Sequence, residues 1–412
     1  MTLLKSVLLL ALLFTISLTP AQDKSFATKI IDRLASEAFD GRGYVNNGDI
    51  KAARYIASEF KNSGALPLGK SYLHPFNISI NTFPDTVSVK VDKKNLKTAK
   101  DFMVGGGSKE TNGTYELVYI DTTELNNLAD INQDINDKVV VLPAAAEKDK
   151  RTYKLNAAGY IFTHKKNLYW RLSDAVEVKP YFYLHTYDSL INDSKTINAN
   201  INNTFYENYR TANVMAMIEG SAKPDSFYVF TAHYDHLGRM GSEVFFPGAN
   251  DNASGTAMLL DMARHYSKPM NKPEYSMIFM AFAAEECGLF GSEYAANNSP
   301  VALDKIKFLF NLDMVGSGSG GIGMVNAKVE PKADSLINAI NDEKNYFSDI
   351  RSGGARCVSD HCAFARKNVP AIFIFTRGKE YMHYHTISDS GPVPLTKWDE
   401  LFNLLNNFMR LY

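Results

Sequence analysis

Two histidines and three carboxylates, His233, Asp251, Glu286, Asp313 and His385, are spaced along the second half of this chain, and each is a good ligand for a borderline divalent cation. The set contains no thiolate. Nitrogen and oxygen donors without sulfur suit a catalytic centre that keeps a position open for water better than a closed structural zinc site. Glu285 stands beside Glu286, so one carboxylate can bind metal while the other faces the reacting water. Two cations roughly 3.5–4 Å apart share such a water and lower its pKa, and a nearby carboxylate then carries its proton to the leaving group. The chemistry to expect is hydrolysis at a two-metal site.

The elements that must bring these residues together are legible as apolar runs. Residues 227–232, 277–282, 308–312 and 371–375 are near-continuous apolar stretches of strand length, as in buried parallel strands. His233 follows the first, Glu285 and Glu286 the second, and Asp313 the third. Ligands of open parallel sheets collect beyond the carboxyl ends of the strands, so three segments converge on one rim. Asp251 lies in a tight turn between Gly248 and Gly255 that runs into a helix at 256–266, where Met258, Leu259, Met262 and Ala263 share a face. A carboxylate held there is suited to bridging two cations. Asp235, two residues past His233, is placed either to hold that imidazole's second proton or to serve as a turn aspartate. Further helices are read at 291–296 and 401–409.

The first half reads differently. Ile30, Ile31, Leu34 and Ala38 share one helical face, and Ala52, Ala53, Ile56 and Phe60 another, with Asp49 as the expected cap of the second helix and Gly64 as its end. Residues 72–104 alternate apolar and polar positions, as in Val87, Val89 and Val91, which predicts strands. From 105 to 205 short strand-like runs (115–120, 139–142, 160–163, 181–184) and one short helix around 154–158 lie among Asn- and Asp-rich turns, and none of the candidate ligands falls there. An inserted domain is the simplest reading, since a loop of that length without structure is unusual in a compact domain.

At the N-terminus, Lys5, an apolar run from Val7 to Leu18 and Thr19-Pro20-Ala21 form an export signal. The run is shorter than the roughly 20 residues a spanning helix needs, and no cysteine at the cleavage point offers a lipid anchor. A periplasmic or extracellular location is expected, without a stable membrane anchor. The chain has 412 residues and a net charge of -1, so no field draws it to nucleic acid. Peptides or small molecules are the expected partners, and nothing in the sequence sets the oligomeric state. Of three cysteines, Cys287 reads as a packing residue, while Cys357 and Cys362 either pair or remain two buried thiols.

These stretches together resemble the di-zinc aminopeptidase family, whose relatives include bacterial leucyl aminopeptidases, glutamate carboxypeptidase and glutaminyl cyclase. The resemblance is carried by His233-Tyr234-Asp235-His236-Leu237-Gly238, by the segment from Pro247 to Gly255, by Glu285-Glu286-Cys287-Gly288-Leu289-Phe290-Gly291-Ser292, by Asn311-Leu312-Asp313-Met314 and by His385-Thr386, in the family's order. It implies two zinc ions per chain, with Asp251 bridging, His233 and Asp313 on one ion, and Glu286 and His385 on the other. It further implies Glu285 as general base and acid, Asp235 as partner of His233, and a cis peptide at Asp251-Asn252. His236 and Ser359-Asp360-His361 are expected to shape the pocket, and Arg356 or Tyr381 to contact substrate or a developing oxyanion. Asp137-Lys138-Val139-Val140-Val141 and Asn156-Ala157-Ala158-Gly159-Tyr160-Ile161 resemble a protease-associated domain.

The expected fold is therefore α/β, a mixed, mostly parallel sheet flanked by helices in the zinc exopeptidase manner with an inserted, mainly β domain. Residues 1–21 would be the signal peptide, 22–104 and 206–412 the peptidase domain, and 105–205 the insert. The expected activity is removal of amino-terminal residues from peptides. A single-zinc glutaminyl cyclase, a carboxypeptidase of the same family and a non-catalytic receptor-like homologue are the alternatives. The complete ligand set with Glu285 argues against the last.

Overall fold

A computed structural model describes residues 23–127 and 135–412, so the expected signal segment, 1–21, lies outside the described residues. Among the described residues no helix is long and apolar enough to cross a membrane.

The larger sheet has nine strands, and its central four, Tyr275–Phe282, Lys223–His233, Ile306–Leu312 and Ala371–Thr376, run parallel side by side. Their apolar runs are continuous because both faces are covered. Tyr228, Phe230 and Ala232 point into one cluster with the helices Lys24–Leu34, Gly48–Ser63, Gly255–Tyr266 and Trp398–Leu411, while Phe227 and Val229 point into another with Ala295, Ala363 and Phe364. That is the period-two alternation of a strand between two helical layers. The flanks are antiparallel: Thr204–Ile218 lies against Tyr275–Phe282 and carries Leu73–Thr82, and Ile322–Val325 lies against Ala371–Thr376. The sheet is thus mixed, with its parallel core at the centre.

A second sheet of eight strands is formed within 87–201, in the order Lys94–Leu96, Val87–Val91, Thr196–Ile201, Thr111–Tyr119, Val139–Pro143, Gly159–His164, Phe182–Tyr187, Phe102–Val104. Its edge does not coincide with the division expected at residue 105. Val87–Val91 pairs with Thr196–Ile201, and Phe102–Val104 with Phe182–Tyr187, so this sheet takes in residues assigned from sequence to the N-terminal part. The expected helix at 154–158 is a single 3-10 turn, Thr152–Leu155, ended by the left-handed Asn156. Cys357 and Cys362 are joined in a disulfide, and Cys287 is buried and free.

Asp49 does not cap the second helix. Asn47 holds the cap position without a side-chain bond, and Asp49 lies buried in the first turn, accepting hydrogen bonds from Tyr209 Oη and Thr211 Oγ1 at 2.7 Å each. Gly64 ends the helix in the left-handed conformation, as expected. Burial pushes Asp49 up to about 6, against the two hydroxyls, which favour the charged form. The folded state therefore holds this proton more tightly than the unfolded chain. The stability this group lends is full below about pH 4, falls as pH rises through about 6, and above that leaves a penalty of about 3 kcal/mol. Asp49→Asn, which keeps an acceptor for Tyr209, is expected to melt higher than the parent at pH 8 and to flatten the fall between pH 4 and 7. Thermal melts of both proteins across that range would check it; parallel curves would remove Asp49 from the pH dependence.

Candidate metal centre

The expected ligands meet. His233 is the last residue of its strand and lies level with Phe282 of the neighbour, while Asp313 follows Leu312 of the next strand, so two ligands reach the same rim. His233 Nε2 is 3.3 Å from Asp251 Oδ1 and 3.4 Å from Asp313 Oδ1. His385 Nε2 is 3.3 Å from Asp251 Oδ2 and 3.0 Å from Glu286 Oε2. One carboxylate thus offers an oxygen to each imidazole. The donor atoms of His233, Asp251 and Glu286 lie within 4.8 Å of one another, and so do those of His233, Glu285 and Asp313. All these residues except Glu285, which is partly exposed, are buried.

The turn carrying Asp251 is fixed from three sides. Asp389 accepts from Asn250 N at 2.8 Å and Asp251 N at 3.0 Å. Asn252 donates to Leu312 O at 3.0 Å and accepts from Gly255 N and Met314 N at 2.9 and 3.2 Å, which ties the turn to the Asp313 strand. The fully buried Arg42 donates to Tyr234 O, Leu34 O, Pro247 O, Gly248 O and Asp251 O at 2.6–3.2 Å. Gly248 has φ +61, and a Cβ there would collide with the His236 ring and the Arg42 guanidinium, so no other residue fits. The Asp251–Asn252 peptide is cis.

The groups behind the ligands differ in part from expectation. The carboxylate of Asp235 is 3.8 Å from His233 Nδ1, too far for a hydrogen bond; the ring's partner is the backbone oxygen of Asp235 at 3.1 Å. The carboxylate accepts instead from Glu285 N at 3.1 Å and Glu286 N at 3.4 Å, and so holds the turn that presents both glutamates. Burial pushes Asp235 up to about 7, with the His233 charge opposing. His236 Nδ1 lies 2.8 Å from Glu286 Oε1, and its Nε2 has no partner among the described residues, which fits an Nδ1–H donor orienting Glu286. Thr231, Asn311 and Ser359 form a chain that ends on Asp313 Oδ2, the last bond 2.9 Å long. Ser359 thus does more than shape the pocket. Tyr381 donates to Asp389 Oδ1 at 2.8 Å and does not face the cavity, whereas Arg356 lines it.

Sequence reasoning missed four residues. Arg42 and Asp389 act on backbone groups of distant segments, which no spacing announces. Tyr384 lies flat on the His385 ring, with centroids 3.8 Å apart, and lines the cavity. Trp170, from the second sheet's unit, accepts from His385 Nδ1 through its backbone oxygen at 2.7 Å. The cavity at the cluster measures about 260 Å3, and Met314, Val325, Val358, Phe373 and Phe375 give it an apolar wall. A larger one of about 650 Å3 lies in the second sheet's unit, away from the ligands.

The electrostatics fit cations. Asp235, Asp251, Glu285, Glu286 and Asp313 converge; the buried Arg42 lies close enough to Asp389, Asp251, Asp235 and Glu286 to feel their charge, and Arg356 lines the cavity. Burial pushes Glu285 well above the ordinary range; His233 opposes this, while Glu286, Asp360 and Asp313 add to it. Burial works to lower His233 and His385, yet the carboxylates prevail and raise both well above the ordinary imidazole range. Divalent ions would relieve this crowding of negative charge, and the nitrogen and oxygen donor set is one zinc accepts.

Residues 213–406 match the model of peptidase family M28. Over 185 residues the chain is 41% identical to "Aminopeptidase YwaD" of Bacillus subtilis, covering 40% of this chain and 36% of that protein. Over 116 residues it is 39% identical to a "Probable zinc metalloprotease" of Leptosphaeria maculans, covering 28% and 26%. The matches thus span about a quarter to a third of these relatives' lengths. In fold the chain is similar to the crystal structure of a zinc aminopeptidase from Bacillus subtilis, with a TM-score of 0.71, 21% identity and 95% of each chain covered.

Proposed function

We propose that this chain, whose residues 213–406 match the model of peptidase family M28, is a zinc-dependent aminopeptidase that binds two zinc ions and removes amino-terminal residues from peptides. The observation that carries this reading is Asp251, one oxygen facing His233 and the other facing His385. His233 and Asp313 would hold one ion, Glu286 and His385 the other, and Asp251 both. When bound, the ions supply Lewis-acid chemistry, polarising the scissile carbonyl and lowering the pKa of the attacking water.

The chain's own residues do the rest. Glu285 takes the proton of the attacking water and returns it to the departing amine nitrogen as the peptide bond breaks. Asp235 fixes the backbone of Glu285, and His236 and Ser359 fix the carboxylates of Glu286 and Asp313. The apolar wall from Met314 to Phe375 would accept a large apolar side chain at the cleaved residue. The segment from Lys5 to Ala21 supports export to the periplasm or the extracellular space.

Metal analysis combined with a panel of aminoacyl anilides, N-blocked peptides and an amino-terminal glutamine substrate tests the reading. Two zinc ions per chain and turnover of leucyl or phenylalanyl anilides are expected. Product only from blocked peptides would point to a carboxypeptidase or endopeptidase, and cyclised glutamine with one zinc to a cyclase.

A further inference from the structure

The two candidate ligand histidines are oriented by different parts of the molecule. His233 ends a central strand, and its Nδ1 finds a carbonyl two residues further along the same segment, Asp235 O at 3.1 Å. His385 has no such support. It sits in the irregular segment after the strand Ala371–Thr376, with φ +54, and its Nδ1 lies 2.7 Å from Trp170 O, 215 residues away in the unit of the second sheet. The contact is reciprocal, since Trp170 N donates to His385 O at 3.2 Å.

Trp170 is held firmly enough to serve as a reference point. The residue is 2% exposed, and its indole packs near Phe83 and Phe246 with centroids at 6.4 and 4.7 Å and donates through Nε1 to Val104 O at 2.7 Å. Its neighbour Tyr169 meets Tyr384 edge to face at 5.9 Å, so Tyr169-Trp170 forms a strap that touches the loop beside His385 a second time. An Nδ1–H committed to Trp170 O leaves the Nε2 lone pair facing Asp251 and Glu286, the tautomer a metal needs.

We propose that Trp170 is a positioning residue that makes the second sheet's unit part of one metal site only: the ion held by Glu286 and His385 depends on this strap, and the ion held by His233 and Asp313 does not. The proposal rests on the two-zinc reading above and adds an asymmetry to it.

Zinc titration against a competing chelator, with melting temperatures in parallel, tests it on the full chain. Trp170→Ala keeps the carbonyl but removes the indole that anchors it, and is expected to weaken one ion roughly 10-fold, the low end of the cost of disturbing a partner behind a metal-binding histidine, and to leave the other within about threefold. In a His385→Ala background the same change should cost nothing further, because the residue it positions is gone. Trp170→Phe keeps the buried ring but loses the bond to Val104. It is expected to weaken the same ion by a few-fold, and it carries the test should the alanine variant fail to fold. Equal weakening of both ions, or unchanged affinities in a variant that melts like the parent, overturns the proposal. A parent chain that binds no zinc overturns the underlying reading instead.

Discussion

Glu285→Gln is expected to keep two zinc ions per chain and to lower kcat on an aminoacyl anilide by roughly 10³-fold, with KM little changed. The geometry makes this a decision between two roles. Glu285 lies within 4.8 Å of the donor atoms of His233 and Asp313, close enough to be taken for a ligand. It is also the one acidic member of the cluster that is not buried, and it lines the cavity where substrate must sit. Glutamine preserves shape and the backbone bond to Asp235 while removing the basic oxygen. Were Glu285 a ligand, the variant would lose metal along with activity. Full zinc with lost turnover identifies the base, and retained turnover would sink that assignment. Measuring both quantities on one preparation separates the outcomes.

That the candidate ligands would meet was legible because their signal is local. A residue directly past a buried strand must appear at the carboxyl edge of the sheet, and His233 and Asp313 do. The groups that hold them were not legible, because their partners are backbone atoms far away in sequence: Asp389 on Asn250 and Asp251, Trp170 on His385. Asp235 shows the limit of spacing arguments. Two residues past a histidine is a plausible place for its carboxylate partner, but the chain turns so that the peptide oxygen arrives first and the carboxylate serves the glutamate turn instead. Val87–Val91 shows another limit, since alternation marks a strand whichever sheet it joins, and this one joined the second.

The same cluster explains why a guanidinium is buried beneath it. Carboxylates cannot be gathered in a dry site without compensation, and a counter-charge that is part of the chain is in place whether or not a metal is bound. Arg42, fully buried and not part of the cavity wall, supplies a permanent charge. Asp389 and Asp251 hold its pKa up, while burial lowers it to about 10, so it stays charged at neutral pH. Its position in Phe39-Asp40-Gly41-Arg42-Gly43, far before the ligands in sequence, gave no hint of this.

Arg42→Lys, although it keeps the charge, is expected to destabilise the protein by roughly 3–5 kcal/mol and to weaken zinc binding at both sites. All five N–H groups of the guanidinium are used, on the carbonyls of Leu34, Tyr234, Pro247, Gly248 and Asp251. These oxygens come from the first helix, the His233 loop and the Asp251 turn, so one planar group joins three segments. An ammonium has three donors on a single atom and cannot span them. At least two buried carbonyls are left unpaired, at about 1–3 kcal/mol each, beside a charge now poorly solvated. For a chain of this size the melting temperature should fall by roughly 4–6 °C. Arg42→Met should lose more, because the carboxylate cluster then keeps no buried counter-charge, and saturating zinc should restore part of that loss but less of the lysine variant's. Melts of the three proteins with and without zinc would reveal this order. A lysine variant within about 1 kcal/mol of the parent would mean that the turn holding Asp251 is fixed by Asp389 and Asn252 alone.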